Sequence, residues 1–261
     1  MHRTLEPGPA RLLVIAHRGA SADHPENTLA AFAAAAEAGA DLVELDARIT
    51  ADGVAVALHD LDLDRTTDAR GAVHAMPLAE VKRADASGGR GPRQEVPTLA
   101  EVLELLAETG TGVDVEIKNL PGEPSYERGG AAIVEAVLGA LEGFPGAAIV
   151  TSFDPSSLRT ARRLAPEVAT GLLTLGAEGP EAALDLVLED GHPWLLPHVF
   201  AVDRGGDELL GAARDRGVAV GTWTVDDEAA IERLFARGVA AVATNRPAIG
   251  VGARDRVAAA S

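Results

Sequence analysis

Residues 218–244 read VAVGTWTVDDEAAIERLFARGVAAVAT: a strand from Val218 to Val225, a helix from Asp226 to Arg237 and a second strand from Val239 to Thr244. Strand, helix and strand at this spacing make parallel neighbours covered by a helix. The same alternation runs back through the chain. Gly112 to Lys118 is a strand and Glu127 to Leu141 a helix, then Ala147 to Phe153 a strand and Pro155 to Leu164 a helix. Val168 to Thr174 is a strand and Pro180 to Glu189 a helix, followed by strand Trp194 to His198 and helix Asp207 to Arg216. Two earlier strands, Arg11 to Ala16 and Asp41 to Asp46, flank a helix from Leu29 to Glu37 that PENT (Pro25 to Thr28) opens and Gly39 stops. Thr98 with Glu101 fits a capping box for a helix from Leu99 to Glu108. Eight such strands close most naturally into a (β/α)₈ barrel of the α/β class. A doubly wound open sheet is the alternative, weakened because no GxGxxG follows the first strand. Leu61 to Pro97 breaks the alternation and reads as a small insertion after the second strand, with ASGGRGPRQ at its Gly/Arg-rich end. Met1 to Ala10 reads as a loose lead-in, and residues 1–261 as one domain.

The 261 residues can bury a large core, and 47% hydrophobic with 24% charged residues is an ordinary soluble globular composition. A net charge of −17 argues against nucleic-acid or anionic-membrane surfaces, which need clustered Lys and Arg. An anionic substrate would therefore need a local basic pocket. The chain has no Cys, so disulfides and thiolate metal sites are excluded and the charged or imidazole ligands left are His, Asp and Glu. Leu12 to Ala16 is too short for a secretory apolar region, and no apolar run reaches the length of a bilayer span. A cytoplasmic location follows by default.

Gly39 to Asp60, GADLVELDARITADGVAVALHD, holds the most unusual pattern. Leu42, Glu44 and Asp46 share one strand face while Val43 and Leu45 share the other, so two carboxylates at i and i+2 point the same way and repel. Asp52-Gly53 suits a two-residue hairpin turn, which sets Ala51 opposite Val54 and Asp46 opposite His59. A solvated hairpin is the plain explanation. Barrel active sites, however, lie at the C-terminal strand ends, and polar residues recur there. His17 and Arg18 end the first strand, Glu44 and Asp46 the second, Glu116 and Lys118 the third. Ser152, Phe153 and Trp223 end later strands. Each alone is a hydrogen-bonded loop residue, an ion pair or core, but charges grouped at one barrel mouth are costly to desolvate without a purpose. Three carboxylates without sulfur suit a hard divalent cation, Mg²⁺ or Ca²⁺. Arg18 and Lys118 suit a phosphate, and two imidazoles beside it suit general base and acid for P–O cleavage.

With these residues in place, the chain resembles the glycerophosphodiester phosphodiesterases. The matching pieces are HRGASADHPENT (His17 to Thr28), ELD (Glu44 to Asp46), LHDLDLDRTT (Leu58 to Thr67), VPTLAEVLEL (Val96 to Leu105), VEIK (Val115 to Lys118), TSFD (Thr151 to Asp154), TWTVDD (Thr222 to Asp227) and ATNRP (Ala243 to Pro247), in the family's order over nearly the whole chain. The resemblance implies a TIM barrel with a small insertion after the second strand, at Leu61 to Pro97. It implies metal ligation by Glu44, Asp46 and Glu116, acid–base roles for His17 and His59, and phosphate contacts from Arg18 and Lys118. It sets Ser152, Phe153 and Trp223 on the alcohol side of the pocket, with Glu26 and Asn27 in support. The expected partner is a small phosphodiester, cleaved to glycerol 3-phosphate and an alcohol. Neither nucleic acid nor an integral membrane segment is expected, and no oligomeric state is indicated. The competing expectations are a lysophospholipase D-type enzyme on the same barrel, disfavoured because ASGGRGPRQ offers no apolar surface, and a non-catalytic phosphodiester-binding barrel.

Overall fold

The structure is a computed structural model describing residues 3–4, 12–177 and 179–260. Eight parallel strands form a closed ring in sequence order: β1 (Leu13–Ala16), β2 (Leu42–Ile49), β3 (Gly112–Ile117), β4 (Ala147–Ser152), β5 (Ala169–Thr174), β6 (Trp194–Pro197), β7 (Ala219–Thr222) and β8 (Ala241–Thr244). β8 pairs with β1 through Ala241↔Leu13 to Thr244↔Ala16, which closes the barrel. Around it lie α1 (Leu29–Glu37), α2 (Leu99–Thr109), α3 (Ala131–Leu141), α4 (Pro155–Leu164), α5 (Pro180–Asp190), α6 (Val199–Asp215), α7 (Glu228–Ala236) and α8 (Pro247–Ala260). This is a (β/α)₈ TIM barrel, as the alternation predicts. Met1 to Ala10 lies outside the described residues, apart from Arg3–Thr4, which pair in parallel with Ala147 and Ala148. Among the described residues no helix is long and apolar enough to cross a membrane.

Strand alternation divides the core in two. Val43, Leu45, Val113, Val115, Ile117 and Val150 face outward onto the helices. Leu13, Ile15, Leu42, Ile149, Leu173, Trp194 and Leu196 fill the barrel interior. A third cluster, including Val56, Leu58, Leu63, Val73, Val81 and Val96, gives the insertion its own small core around a helical turn at Leu78–Val81. That core is why a stretch with broken periodicity still has defined structure.

Several boundaries differ from the sequence reading for local reasons. The Asp52-Gly53 hairpin has a three-residue loop: Thr50 N–H bonds Val54 C=O, and Gly53 carries the positive φ of +83°. Pairing therefore runs Ala47↔Ala57 and Ile49↔Ala55 and leads on to Leu58 N–H bonding Asp46 C=O, so Asp46 opposes Leu58 and not His59. The helix expected from Glu127 starts at Ala131, because Gly129 and Gly130 adopt φ of +85° and +54°. A Cβ at Gly130 would lie 2.6 Å from Ser157 Oγ, so only glycine lets the chain pass there. α6 extends the helix expected from Asp207 back to Val199 across a non-helical Gly206. α8 follows the last expected strand and packs on α7 and β1. The N-caps fare better: Thr28 accepts from Ala31 N–H at the start of α1, and Thr98 and Glu101 form the predicted capping box at the start of α2.

Candidate active site

A cavity of about 430 Å³ opens at the C-terminal rim of the barrel, with a charged wall and an apolar one. β2 and β3 build the charged wall. Their register sets Glu44 beside Asp114 and Asp46 beside Glu116, and their alternation turns all four inward. One carboxylate oxygen each from Glu44, Asp46 and Glu116 lies within 4.8 Å of the others. Burial and the neighbouring Asp46 and Glu116 charges push Glu44 well above the usual carboxylate range. Burial lifts Glu116 to about 7 against the pull of Lys118. Burial would lift Asp46 too, but Lys118 and Arg18 outweigh it and hold that carboxyl well below its ordinary value. Glu44 Oε1 is buried with no hydrogen-bond partner among the described residues. A set of convergent carboxylates, one of them with a spare oxygen and a raised pKa, fits a hard divalent cation.

The cations sit against this triad. Lys118 Nζ lies 2.8 Å from Glu116 and 3.3 Å from Asp46. Arg18 donates its backbone N–H to Glu44 at 2.7 Å, and its guanidinium lies 3.1 Å from both Asp46 and Glu26. Asn27 grips Asp46 twice, donating from Nδ2 at 2.8 Å and accepting the Asp46 N–H at 3.3 Å. Glu26 and Asn27 thus brace Arg18 and Asp46.

His17 and His59 both line the cavity. His17 Nδ1 lies 2.8 Å from Asn245 Oδ1, and burial, then the Arg18 charge, lowers its pKa below 6.5. His59 Nδ1 lies 2.6 Å from Asp60, and burial lowers its pKa too, against the opposing charge of Asp46. The two imidazoles therefore differ in partner, one an amide and the other a carboxylate.

On the apolar wall stand Leu120, Pro121, Phe153, Leu173, Leu196 and Trp223, with Leu175 at the rim, 66% exposed. Phe153 and Trp223 meet edge to face with centroids 5.5 Å apart, and Trp223 Nε1 donates to Leu196 C=O at 2.8 Å, which fixes the indole. Ser152 is not in this wall. Its neighbours Thr151 and Phe153 face the cavity, so alternation turns Ser152 outward, where its hydroxyl donates to Ile117 C=O and accepts from Asp154 N–H. The strand period forbids adjacent residues from sharing a face.

Five further residues belong to the site and escaped the sequence reading. Asp114 lines the cavity with its pKa raised to about 7 by burial, and it accepts from Thr151 Oγ1 at 2.7 Å. Arg48, the next inward residue after Glu44 and Asp46, donates to His59 C=O at 2.9 Å and pairs with Glu123. Asp60 bonds His59 and is pulled down to about 2, chiefly by Arg65, which also reaches Glu26. Asn245 and Asp226 lie behind His17. The signals were present: Arg48 continues the alternation of Glu44 and Asp46, Asp114 that of Glu116 and Lys118, and Asp60, Asp226 and Asn245 sit inside LHDLDLDRTT, TWTVDD and ATNRP.

The profile of the glycerophosphoryl diester phosphodiesterase family matches residues 17–249. A glycerophosphodiester phosphodiesterase of Caldanaerobacter subterraneus subsp. tengcongensis is 36% identical, covering 91% of this chain and 95% of its own. One from Bacillus subtilis is 33% identical, covering 92% of this chain and 85% of its own. Among solved structures, an Oleispira antarctica phosphodiesterase in complex with the product sn-glycerol-3-phosphate superposes with a TM-score of 0.82 at 29% identity, covering 93% of this chain and 96% of that one. The Thermotoga maritima glycerophosphodiester phosphodiesterase superposes with a TM-score of 0.76 at 28% identity, covering 93% and 98%. With a profile match across nearly the whole chain and relatives above 30% identity, the chain belongs to the glycerophosphoryl diester phosphodiesterase family of phosphoric diester hydrolases.

Proposed function

We propose that the chain hydrolyses glycerophosphodiesters to glycerol 3-phosphate and an alcohol with the aid of a divalent cation, Mg²⁺ or Ca²⁺. The observation that carries this reading is the gathering of an acidic triad, Arg18 and Lys118, and two imidazoles around one cavity. Glu44, Asp46 and Glu116 would hold the cation. As a Lewis acid, such an ion lowers the pKa of a hydroxyl and neutralises phosphate charge. Arg18 grips the phosphate as a planar fork and Lys118 as a point charge, both already braced by the carboxylates around them. His17 takes the proton of the attacking oxygen and His59 returns one to the leaving alkoxide. Their partners support this division, since the Asp60 carboxylate favours an imidazolium at His59 and the Asn245 amide supplies no such charge at His17. The attacking oxygen is the glycerol 2-hydroxyl. It adjoins the phosphate, and its attack on phosphorus expels the alcohol and gives a cyclic 1,2-phosphate, gaining an effective molarity that can reach roughly 10⁵ M or more; water then adds to phosphorus and breaks the new O2–P bond, leaving glycerol 3-phosphate with its 2-hydroxyl restored.

The test is a metal-titrated assay on glycerophosphocholine, glycerophosphoethanolamine and lysophosphatidylcholine side by side, with the released choline or ethanolamine quantified for all three and glycerol 3-phosphate for the first two. Activity should vanish in EDTA and return with Mg²⁺ or Ca²⁺; full activity after exhaustive chelation would sink the metal assignment. A second reading, a lysophospholipase D-type activity, gains support from the apolar wall, which ends at exposed Leu175. Faster turnover of lysophosphatidylcholine than of either glycerophosphodiester would favour it.

A further inference from the structure

Behind His17 lies a chain of polar groups that the proposed chemistry does not use. Asp226 follows β7, Asn245 follows β8 and His17 follows β1, so three neighbouring strand ends bring together residues as much as 228 positions apart. Asn245 Nδ2 donates to Asp226 Oδ2 at 2.7 Å, and the Asn245 backbone N–H donates to Asp226 Oδ1, also at 2.7 Å. Thr244 Oγ1 donates to Asp226 Oδ1 at 2.9 Å. The carboxylate, held by three donors, has no hydrogen to give, so the amide edge facing it must be the NH₂. That orientation turns Asn245 Oδ1 toward His17 Nδ1, 2.8 Å away, and toward Ser21 Oγ, 2.9 Å away. Ser21 Oγ also lies 2.7 Å from the His17 carbonyl oxygen, tying the amide to the same turn.

We infer that Asn245, oriented by Asp226, is a positioning residue that sets the tautomer of His17. An amide oxygen can only accept, so Nδ1 must carry the hydrogen and Nε2 keeps its lone pair for a proton. Asn245 stands to His17 as Asp60 stands to His59, with the difference that it brings no charge, while burial and the Arg18 guanidinium lower the pKa of the imidazole. The flipped amide would set an oxygen against the Asp226 carboxylate and an NH₂ against Nδ1, forcing the hydrogen to Nε2 and removing the lone pair from the base. The inference rests on the reading of His17 as the general base, and the experiment separates the two.

Four variants are compared: His17→Ala, Asn245→Leu, Asn245→Asp, and the exchange Asn245→Asp with Asp226→Asn. Loss of the tautomer-setting bond in Asn245→Leu should lower kcat by about tenfold or more with KM little changed, since a positioned base contributes ~10²–10⁴. Asn245→Asp alone sets two carboxylates against each other and should be impaired as well. The exchange keeps an acceptor toward His17 and lets the amide now at position 226 donate to the carboxylate at 245, so kcat should recover most of the loss, with its pH profile shifted upward by the carboxylate beside His17. In the wild-type protein, ¹⁵N NMR of His17 should show the hydrogen on Nδ1, a readout that does not depend on any variant folding. The inference is overturned if the wild-type hydrogen resides on Nε2, if Asn245→Leu keeps wild-type kcat, or if the folded exchange variant is no better than Asn245→Asp. An active His17→Ala overturns the base assignment and the inference with it; an inactive His17→Ala beside a fully active Asn245→Leu overturns the inference alone.

Discussion

Glu116 should make the cation-free protein lose stability as the pH rises. Burial lifts its carboxyl from the ordinary 4.5 to about 7. Between those values the unfolded chain has released the proton while the folded chain still holds it. The penalty is therefore absent below the unfolded pKa, grows through this window and is complete once the folded group also ionises. Two and a half pH units at ~1.4 kcal/mol each put the loss at about 3 kcal/mol by pH 7.5. In a chain of this size that is about 6–12 °C of melting temperature. Glu116→Gln abolishes the titration at nearly constant shape, and Lys118 keeps Asp46 as a partner 3.3 Å away. In EDTA the variant should melt close to wild type at pH 5 and well above it at pH 7.5. With Mg²⁺ or Ca²⁺ at saturating concentration the order should reverse, because only the intact triad gains the full stabilisation of ligand binding. Differential scanning calorimetry across pH, with and without cation, measures both. A variant that melts at or below wild type in EDTA at pH 7.5 would refute the claim that this carboxyl is buried against its ionised state.

Arg18→Lys keeps the charge but loses the fork, and at ~1.5–3 kcal/mol for a hydrogen bond to a charged group kcat/KM should fall about 10- to 150-fold; an unchanged kcat/KM would rule out a phosphate contact there. Lys118→Met should abolish turnover, whereas a lysine serving only Glu116 would mainly cost melting temperature when replaced. Asn27 occupies a left-handed backbone conformation, φ 57°, and makes two bonds to Asp46. Asn27→Gly should therefore lose only the bonds, while Asn27→Ala adds strain and should be less stable by about 1 kcal/mol in denaturant unfolding; equal stability would show that the backbone relaxes. A substrate lacking the glycerol 2-hydroxyl should be cleaved far more slowly than its parent, and comparable rates would replace the cyclic intermediate with direct attack by water.

The barrel was legible because its signal is local and repeated. Each strand alternates or runs apolar over a few residues, each helix is capped or stopped by a residue of known habit, and Thr28, Thr98 with Glu101, and Pro155 at the start of α4 behave as their chemistry requires. The misses are places where a distant neighbour decided a local conformation. Glu127 and Arg128 favour helix, but Gly130 lies against Ser157 and Asn119, whose closeness admits only a glycine there. The hairpin loop gained a residue although Asp52-Gly53 favours the tighter turn; Asp52 instead accepts from Thr50 Oγ1 and from the Leu78 N–H of the insertion. Composition alone gave no reason to expect that contact.

The site divides along the same line. Glu44 and Asp46 declare themselves by a two-residue spacing, and Glu116 and Lys118 by another, because parallel strands in register convert sequence spacing directly into proximity. The residues that orient them come from loops, where no period applies. Arg65 leaves the insertion to join Glu26, Asp60 and thereby His59, and Asn245 reaches His17 from the opposite end of the chain. A charged wall this dense can persist only if each member is countered: Asp46 by Lys118 and Arg18, His59 by Asp60, Arg48 by Glu123. Arg18 Nε and Asp46 Oδ1 lack a hydrogen bond but face opposite charges at 3.1 and 3.3 Å, whereas Glu44 Oε1 is buried with neither a hydrogen-bond partner nor a close cation among the described residues. Its strain is relieved by a proton or by a cation, and those two occupants compete. Cation affinity should therefore rise with pH until Glu44 is ionised in the free protein. Isothermal titration at several pH values, with proton release measured by varying buffer ionisation enthalpy, would read this directly. Binding without proton uptake or release at neutral pH would mean that Glu44 is already ionised, and that the triad tolerates its own repulsion.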